Sequence, residues 1–345
     1  MRKNNPFCLS FGREPDRFVE RVEAFERITE TFKSESPSIN SFLIMGVRGS
    51  GKTVLMSSIA NFFRDEKDWV VISLNPTRDL LEMFAASLYN DKELKNYYLE
   101  AAFSIPFLGI GVDAKAKQPI NDIQVALEKM ISMAHENGKR LLVVIDDITK
   151  SNNIITFATA YQDFISRRLP VYLIMTGLYE NIYSIQRDKR CSFLMRAEHI
   201  QLKPLNKIGM KNQYMQTFQC KEKEALQMAE FTKGYSYAFQ ALGYIIWEDE
   251  CTLEEAIPKF DERISEYCYE KIWEDLSETE KKVVISLSEN GKQKTKEVIE
   301  NAISSAKSFS SIRDRLIKKG IIDGSEYGYI SLSLPRFSEF VKTKI

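Results

Sequence analysis

The chain has 345 residues, more than one hydrophobic core usually supports, so two or three compact units are expected. Its 48 Lys and Arg balance 48 Asp and Glu, which removes any bulk attraction to nucleic acid or anionic membranes and leaves only local patches to argue from. No apolar run approaches a membrane span, the first residues lead into no signal-peptide core, and Cys8, Cys191, Cys220, Cys251 and Cys268 make no C-x-x-C pair, so a cytoplasmic protein with reduced, packed thiols and no membrane partner is expected.

Residues 1–40 read as a lead-in, in which Phe18, Val19, Glu20 and Arg21 open an amphipathic helix running through Ala24, Phe25 and Ile28 until Pro37 stops it. The apolar run Phe42, Leu43, Ile44, Met45 then leads into Gly46-Val47-Arg48-Gly49-Ser50-Gly51-Lys52-Thr53, which fits the G-x-x-x-x-G-K-[ST] phosphate loop at every fixed position. Glycines let the backbone fold closely around phosphates with its N–H groups inward. A helix over 54–63, beginning at Val54, places its positive N-terminus beneath the anion. Lys52 can reach the β- and γ-phosphates and the Thr53 hydroxyl can ligate Mg²⁺. The expected ligands are ATP or ADP with Mg²⁺.

From residue 41 to about 204 strands at 42–45, 70–74, 141–145, 171–175 and 199–202 alternate with helical segments, the signature of a parallel five-stranded α/β sheet. The third run ends in Asp146-Asp147, at the strand edge where open α/β sheets bind ligands. Asp146 is the Mg²⁺ partner of a Walker B arrangement; Asp147 either polarises the attacking water or caps the following helix. The fourth run ends in Thr176-Gly177, placing Thr176 where a sensor can contact the γ-phosphate or the water. Arg196 ends a helix just before the last strand and is read either as a finger supplied in trans within an oligomer or as a local ion pair with an acid such as Glu198. Residues 104–119, with Ile105, Phe107, Lys115 and Lys117, break the alternation and suggest a surface hairpin.

Beyond Pro204 the chain turns helical, with apolar residues at helical spacing over 212–218, 222–233, 237–248 and 253–269, as a small α-helical lid requires. From residue 271 onward, short helices over 278–287, 295–302 and 305–319, then strands at 321–322 and 329–332, follow the order of a winged helix. The third helix carries Lys307, Arg313, Arg315, Lys318 and Lys319, a recognition-helix pattern for double-stranded DNA, with a solvated basic face or a protein partner as the other readings.

These motifs, together with Gly234-Tyr235-Ser236-Tyr237-Ala238-Phe239-Gln240, resemble the Orc1/Cdc6-like branch of AAA+ ATPases across most of the chain. The resemblance implies a P-loop core, a helical lid and a winged helix, and ATP hydrolysis coupled to DNA binding. The lead-in Phe18-Val19-Glu20-Arg21 is similar to that family's Phe-Val-Gly-Arg-Glu box near the adenine, with Glu20 in place of Gly and Val22 in place of Glu, which nominates Arg21 as a nucleotide contact. Where the family's lid carries a sensor arginine, this one offers Tyr235 and Gln240. The Asp-Asp pair and the C-terminal winged helix also resemble the STAND ATPases, which implies a slowly turning signalling switch as the alternative.

Overall fold

The computed structural model describes residues 4–10, 15–100, 122–302 and 306–345, so the segment 104–119 and the Lys307 side chain lie outside the described residues. Contacts divide the chain into two compact units, one of residues 22–45 and 55–201, the other of residues 1–21, 46–54 and 202–345.

The first unit is an α/β layer. Its helices are α1 (Val22–Lys33), α2 (Lys52–Arg64, from Leu55), α3 (Leu80–Asn90), α4 (Lys95–Glu100), α5 (Ile123–Glu136), α6 (Asn152–Ser166) and α7 (Tyr179–Gln186), followed by the 3-10 helix Lys189–Arg196. Strands β1 (Ser41–Met45), β2 (Trp69–Leu74), β3 (Arg140–Ile145), β4 (Val171–Gly177) and β5 (Glu198–Gln201) pair in the order β2-β3-β4-β1-β5. All these pairs are parallel. Successive side chains of a strand face opposite ways, and each face of this sheet is covered. Leu43, Val143, Ile145, Leu173 and Met175 join the core beneath α3, α5 and α6. The alternate residues Phe42 and Tyr172 meet Phe32 of α1 and, with Phe63 of α2 and Trp69, form an aromatic layer with centroids 4.3 to 6.4 Å apart. Double burial explains why the central strands read as unbroken apolar runs. The lead-in differs from expectation: α1 begins at Val22, and Phe18 to Arg21 precede it as non-helical chain.

The second unit carries α8 (Lys207–Phe218), α9 (Glu222–Phe231), α10 (Ser236–Asp249) and α11 (Leu253–Ile264), a π-helical turn Ser265–Tyr269, α12 (Glu270–Glu274), α13 (Glu278–Asn290), β6 (Gln293–Lys294), α14 (Thr295–Ala302), α15 (Ala306–Lys318), β7 (Ile322–Asp323), β8 (Tyr329–Leu332) and α16 (Phe337–Lys342). The antiparallel sheet β6-β8-β7 completes a winged helix. The two-residue β6 is too short to leave an alternation in the sequence. α13 begins at a capping box, Ser277 with Glu280, which satisfies its first free N–H groups.

The N-terminal segment belongs to this unit through Phe7, 2 % exposed. Its ring packs among Tyr214, Phe218 and Phe239 at 5.6 to 6.0 Å, and a Cβ at Gly243 of α10 would collide with it. Gln240 fastens the segment on both sides, accepting from the Cys8 N–H at 3.0 Å and donating to the Arg17 carbonyl at 2.6 Å. Phe7→Ala is therefore expected to cost about 3 to 5 kcal/mol by chemical denaturation, the range for emptying an aromatic core position; a loss below about 1 kcal/mol would show that the segment is not integral to the core.

Candidate nucleotide site

The phosphate loop follows β1, and its backbone has the conformations that its glycines permit: Gly49 and Gly51 have φ of +75° and +89°, the left-handed region that side-chain-bearing residues avoid. Lys52 is 9 % exposed, and its ammonium donates to the carbonyls of Gly46 and Val47 at 3.0 and 3.1 Å, tying the first residues of the loop to the first residue of α2. Ser50 is 6 % exposed and its Oγ has no hydrogen-bond partner; the Nε of Arg48 is buried and likewise unsatisfied. Orphaned polar atoms are expensive to bury unless a ligand completes them. Glycines at positive φ, an arched lysine and two unsatisfied polar groups on one loop fit the phosphates of a nucleotide.

Arg21 braces this loop from the outside. Its guanidinium donates to the carbonyls of Ser50 at 2.8 Å and Lys203 at 2.6 Å, and burial lowers its pKa to about 10. Two donors of the Arg21 guanidinium are thus engaged on backbone oxygens, one residue before α1 begins. That bracing leaves no sequence signal, since the acceptors are carbonyls that any residue carries.

In the α/β unit, the C-terminal edge of the sheet carries a compact acid arrangement. Thr176 is fully buried; its hydroxyl donates to Asp146 Oδ1 and accepts the Asp147 N–H at 3.0 Å. That N–H also reaches Asp146 Oδ1 at 3.1 Å. Asp147 sits at φ +49°, a strained value for a residue with a side chain, and is exposed. The capping alternative for Asp147 falls, because α6 is capped by Ser151, whose Oγ accepts the Ile154 N–H at 3.3 Å. The Thr176 hydroxyl thus orients Asp146 and the Asp147 backbone, and its carbonyl accepts the Ile148 N–H at 2.8 Å.

Residues 17–166 match the AAA ATPase domain family, and residues 266–341 match DUF8462, a domain of unknown function. Among solved structures, the ORC2 protein of Aeropyrum pernix in its ADPNP-ADP complexes is 13 % identical over 97 % of this chain and 96 % of that chain, with a TM-score of 0.57. Its ADP form is 12 % identical over the same shares, with a TM-score of 0.51. Cdc6p of Pyrobaculum aerophilum is 15 % identical over 97 % of this chain and 96 % of that chain, with a TM-score of 0.48. The sequence matches no curated protein. Residues 17–166 are thus similar to the AAA ATPase domain family, and the chain shares its fold with the ORC2 protein of Aeropyrum pernix.

The remaining candidates divide. Arg196 ends the 3-10 helix and is exposed. Glu198, the acid named in its ion-pair alternative, is held by the Nε and Nη2 of Arg27 at 2.9 and 3.0 Å. In the winged helix, Lys319 is withdrawn from the DNA-facing set: its side chain is 9 % exposed and its ammonium lies 3.0 Å from Glu280, itself 2 % exposed. A buried carboxylate must be paired, and the end of α15 supplies the cation. Arg315 lies 3.5 Å from the same Glu280, and Arg313 donates to the Gly324 carbonyl at 3.2 Å. Arg315 and Lys318 remain exposed on α15. No helix of the described residues is long and apolar enough to cross a membrane.

Proposed function

We propose that the chain binds ATP with Mg²⁺, hydrolyses it slowly, and uses the bound nucleotide to set the state of its C-terminal winged helix, whose ligand is duplex DNA. The observation that carries the reading is the phosphate loop: two glycines at positive φ, Lys52 arched onto the Gly46 and Val47 carbonyls, and an orphaned Ser50 hydroxyl. The likeness in fold to a protein described in ADPNP-ADP complexes supports the same ligand class. When bound, Mg²⁺ would be held by Thr53 and Asp146 and would neutralise phosphate charge. Asp147, exposed and oriented through its N–H by Thr176, takes the role of base toward water, and Arg196 that of a cation offered to a neighbouring subunit. Asp at the second position, shorter by one methylene than Glu, agrees with slow turnover.

The DNA reading rests on Arg315 and Lys318 at the exposed face of α15. A second reading, a signalling switch whose winged helix contacts protein, is favoured by the internal engagement of Lys319 and Arg313. Fluorescence anisotropy of a mixed-sequence duplex with MgATP, with MgADP and without nucleotide, each across a salt series, separates them. The first reading expects binding with MgATP that falls steeply with salt, because neutralised phosphates release counterions. Absence of DNA binding in every state, with nucleotide uptake shown on the same sample, leaves the second.

A further inference from the structure

A tyrosine far from the loop in sequence grips it. Tyr235, 5 % exposed, donates its hydroxyl to the Arg48 carbonyl, and two residues later the Tyr237 N–H donates to the Gly49 carbonyl at 2.9 Å. Both donors lie at the start of α10, whose N-cap is Tyr235. Both acceptors occupy positions that the phosphate-loop motif leaves open. A peptide unit is planar, so the direction of the Arg48 carbonyl fixes that of the Gly49 N–H, while the Ser50 N–H, in the peptide of the Gly49 carbonyl, donates to the Val47 carbonyl at 3.1 Å. An N–H such as that of Gly49 is the kind of donor that a phosphate loop turns toward its anion. Glycine at position 49 suits the same contact: a Cβ there would collide with the Tyr235 hydroxyl and come within 2.9 Å of the Tyr237 Cβ. Burial pushes the Tyr235 phenol well above its usual range, so it remains a donor. Its ring lies nearly parallel to that of Tyr269, 6.5 Å between centroids, which holds the hydroxyl in place.

We propose that Tyr235 is a positioning residue for the nucleotide: its hydroxyl holds the Arg48 peptide so that the Gly49 N–H is presented to a phosphate. This rests on reading the loop as a nucleotide site. It also gives α10 a direct hold on the loop, so that the presence of phosphate and the stability of the helix start are linked.

The test compares Y235F with Y214F. Tyr214 is fully buried in the same unit and donates to the Phe239 carbonyl at 2.8 Å, so each variant deletes one buried tyrosine hydroxyl from a backbone carbonyl, and only one of those carbonyls belongs to the loop. Titration calorimetry with MgADP is expected to show Kd raised about tenfold in Y235F, the size of one lost hydrogen bond, and changed less than about twofold in Y214F. Thermal unfolding without nucleotide is expected to fall by a similar amount in both. If Y235F binds as the wild type does while its stability falls, or if both variants weaken binding equally, the positioning role is overturned and Tyr235 is a packing residue. If the wild-type chain itself takes up no MgADP, the nucleotide reading falls and this inference with it.

Discussion

Replacing Lys52 by alanine is expected to weaken MgATP binding at least about a hundredfold while leaving the fold intact, because two hydrogen bonds from a charged donor and a point charge for phosphate are lost together. The ammonium joins both ends of the loop through the Gly46 and Val47 carbonyls, so its removal also lets the loop open. Lys52 is the first residue of α2, a position where alanine is a good helix former, and the helix should persist. Titration calorimetry beside far-ultraviolet circular dichroism checks both halves. Unchanged affinity in a folded variant would discard the site.

Asp147→Asn is expected to lower ATP turnover by about a hundredfold to ten-thousandfold, the usual contribution of a positioned base, with affinity changed only a few-fold. The substitution is unusually clean. Asparagine tolerates the left-handed backbone that Asp147 adopts at φ +49°, and the N–H that bonds Thr176 and Asp146 is retained. Single-turnover hydrolysis set against equilibrium binding distinguishes the roles. If both fall equally, Asp147 is a metal or structural residue instead.

What could be read from the chain follows its physics. The central strands are buried on both faces, so they announce themselves as apolar runs, and the phosphate loop and acid pair are contiguous in sequence. The winged helix was legible through its helices and the strands at 321–322 and 329–332, although β6, with two residues, was not. What escaped is side-chain to backbone bonding across long separations. Arg21 with the Ser50 carbonyl and Tyr235 with the Arg48 carbonyl use acceptors that leave no trace in sequence. Direction is the other loss. Lys319 counts as a basic residue beside Lys318, yet turns inward because Glu280, a capping residue 39 positions earlier, is buried and needs a cation. The bonds of the Thr176 hydroxyl to Asp146 and to the Asp147 N–H likewise follow from no sequence pattern.

Helix α10 is held at its first turn by the loop carbonyls and at its middle by Gln240 and Gly243 against the N-terminal segment. Its fourteen residues make a rod about 21 Å long, and a tilt of about 5° at one end of such a rod moves the other by about 2 Å. At that far end Trp247 meets Phe218 of α8, 6.3 Å between ring centroids. A loop peptide that reoriented and tilted α10 would therefore pass its motion on to a pair of aromatic rings in another helix.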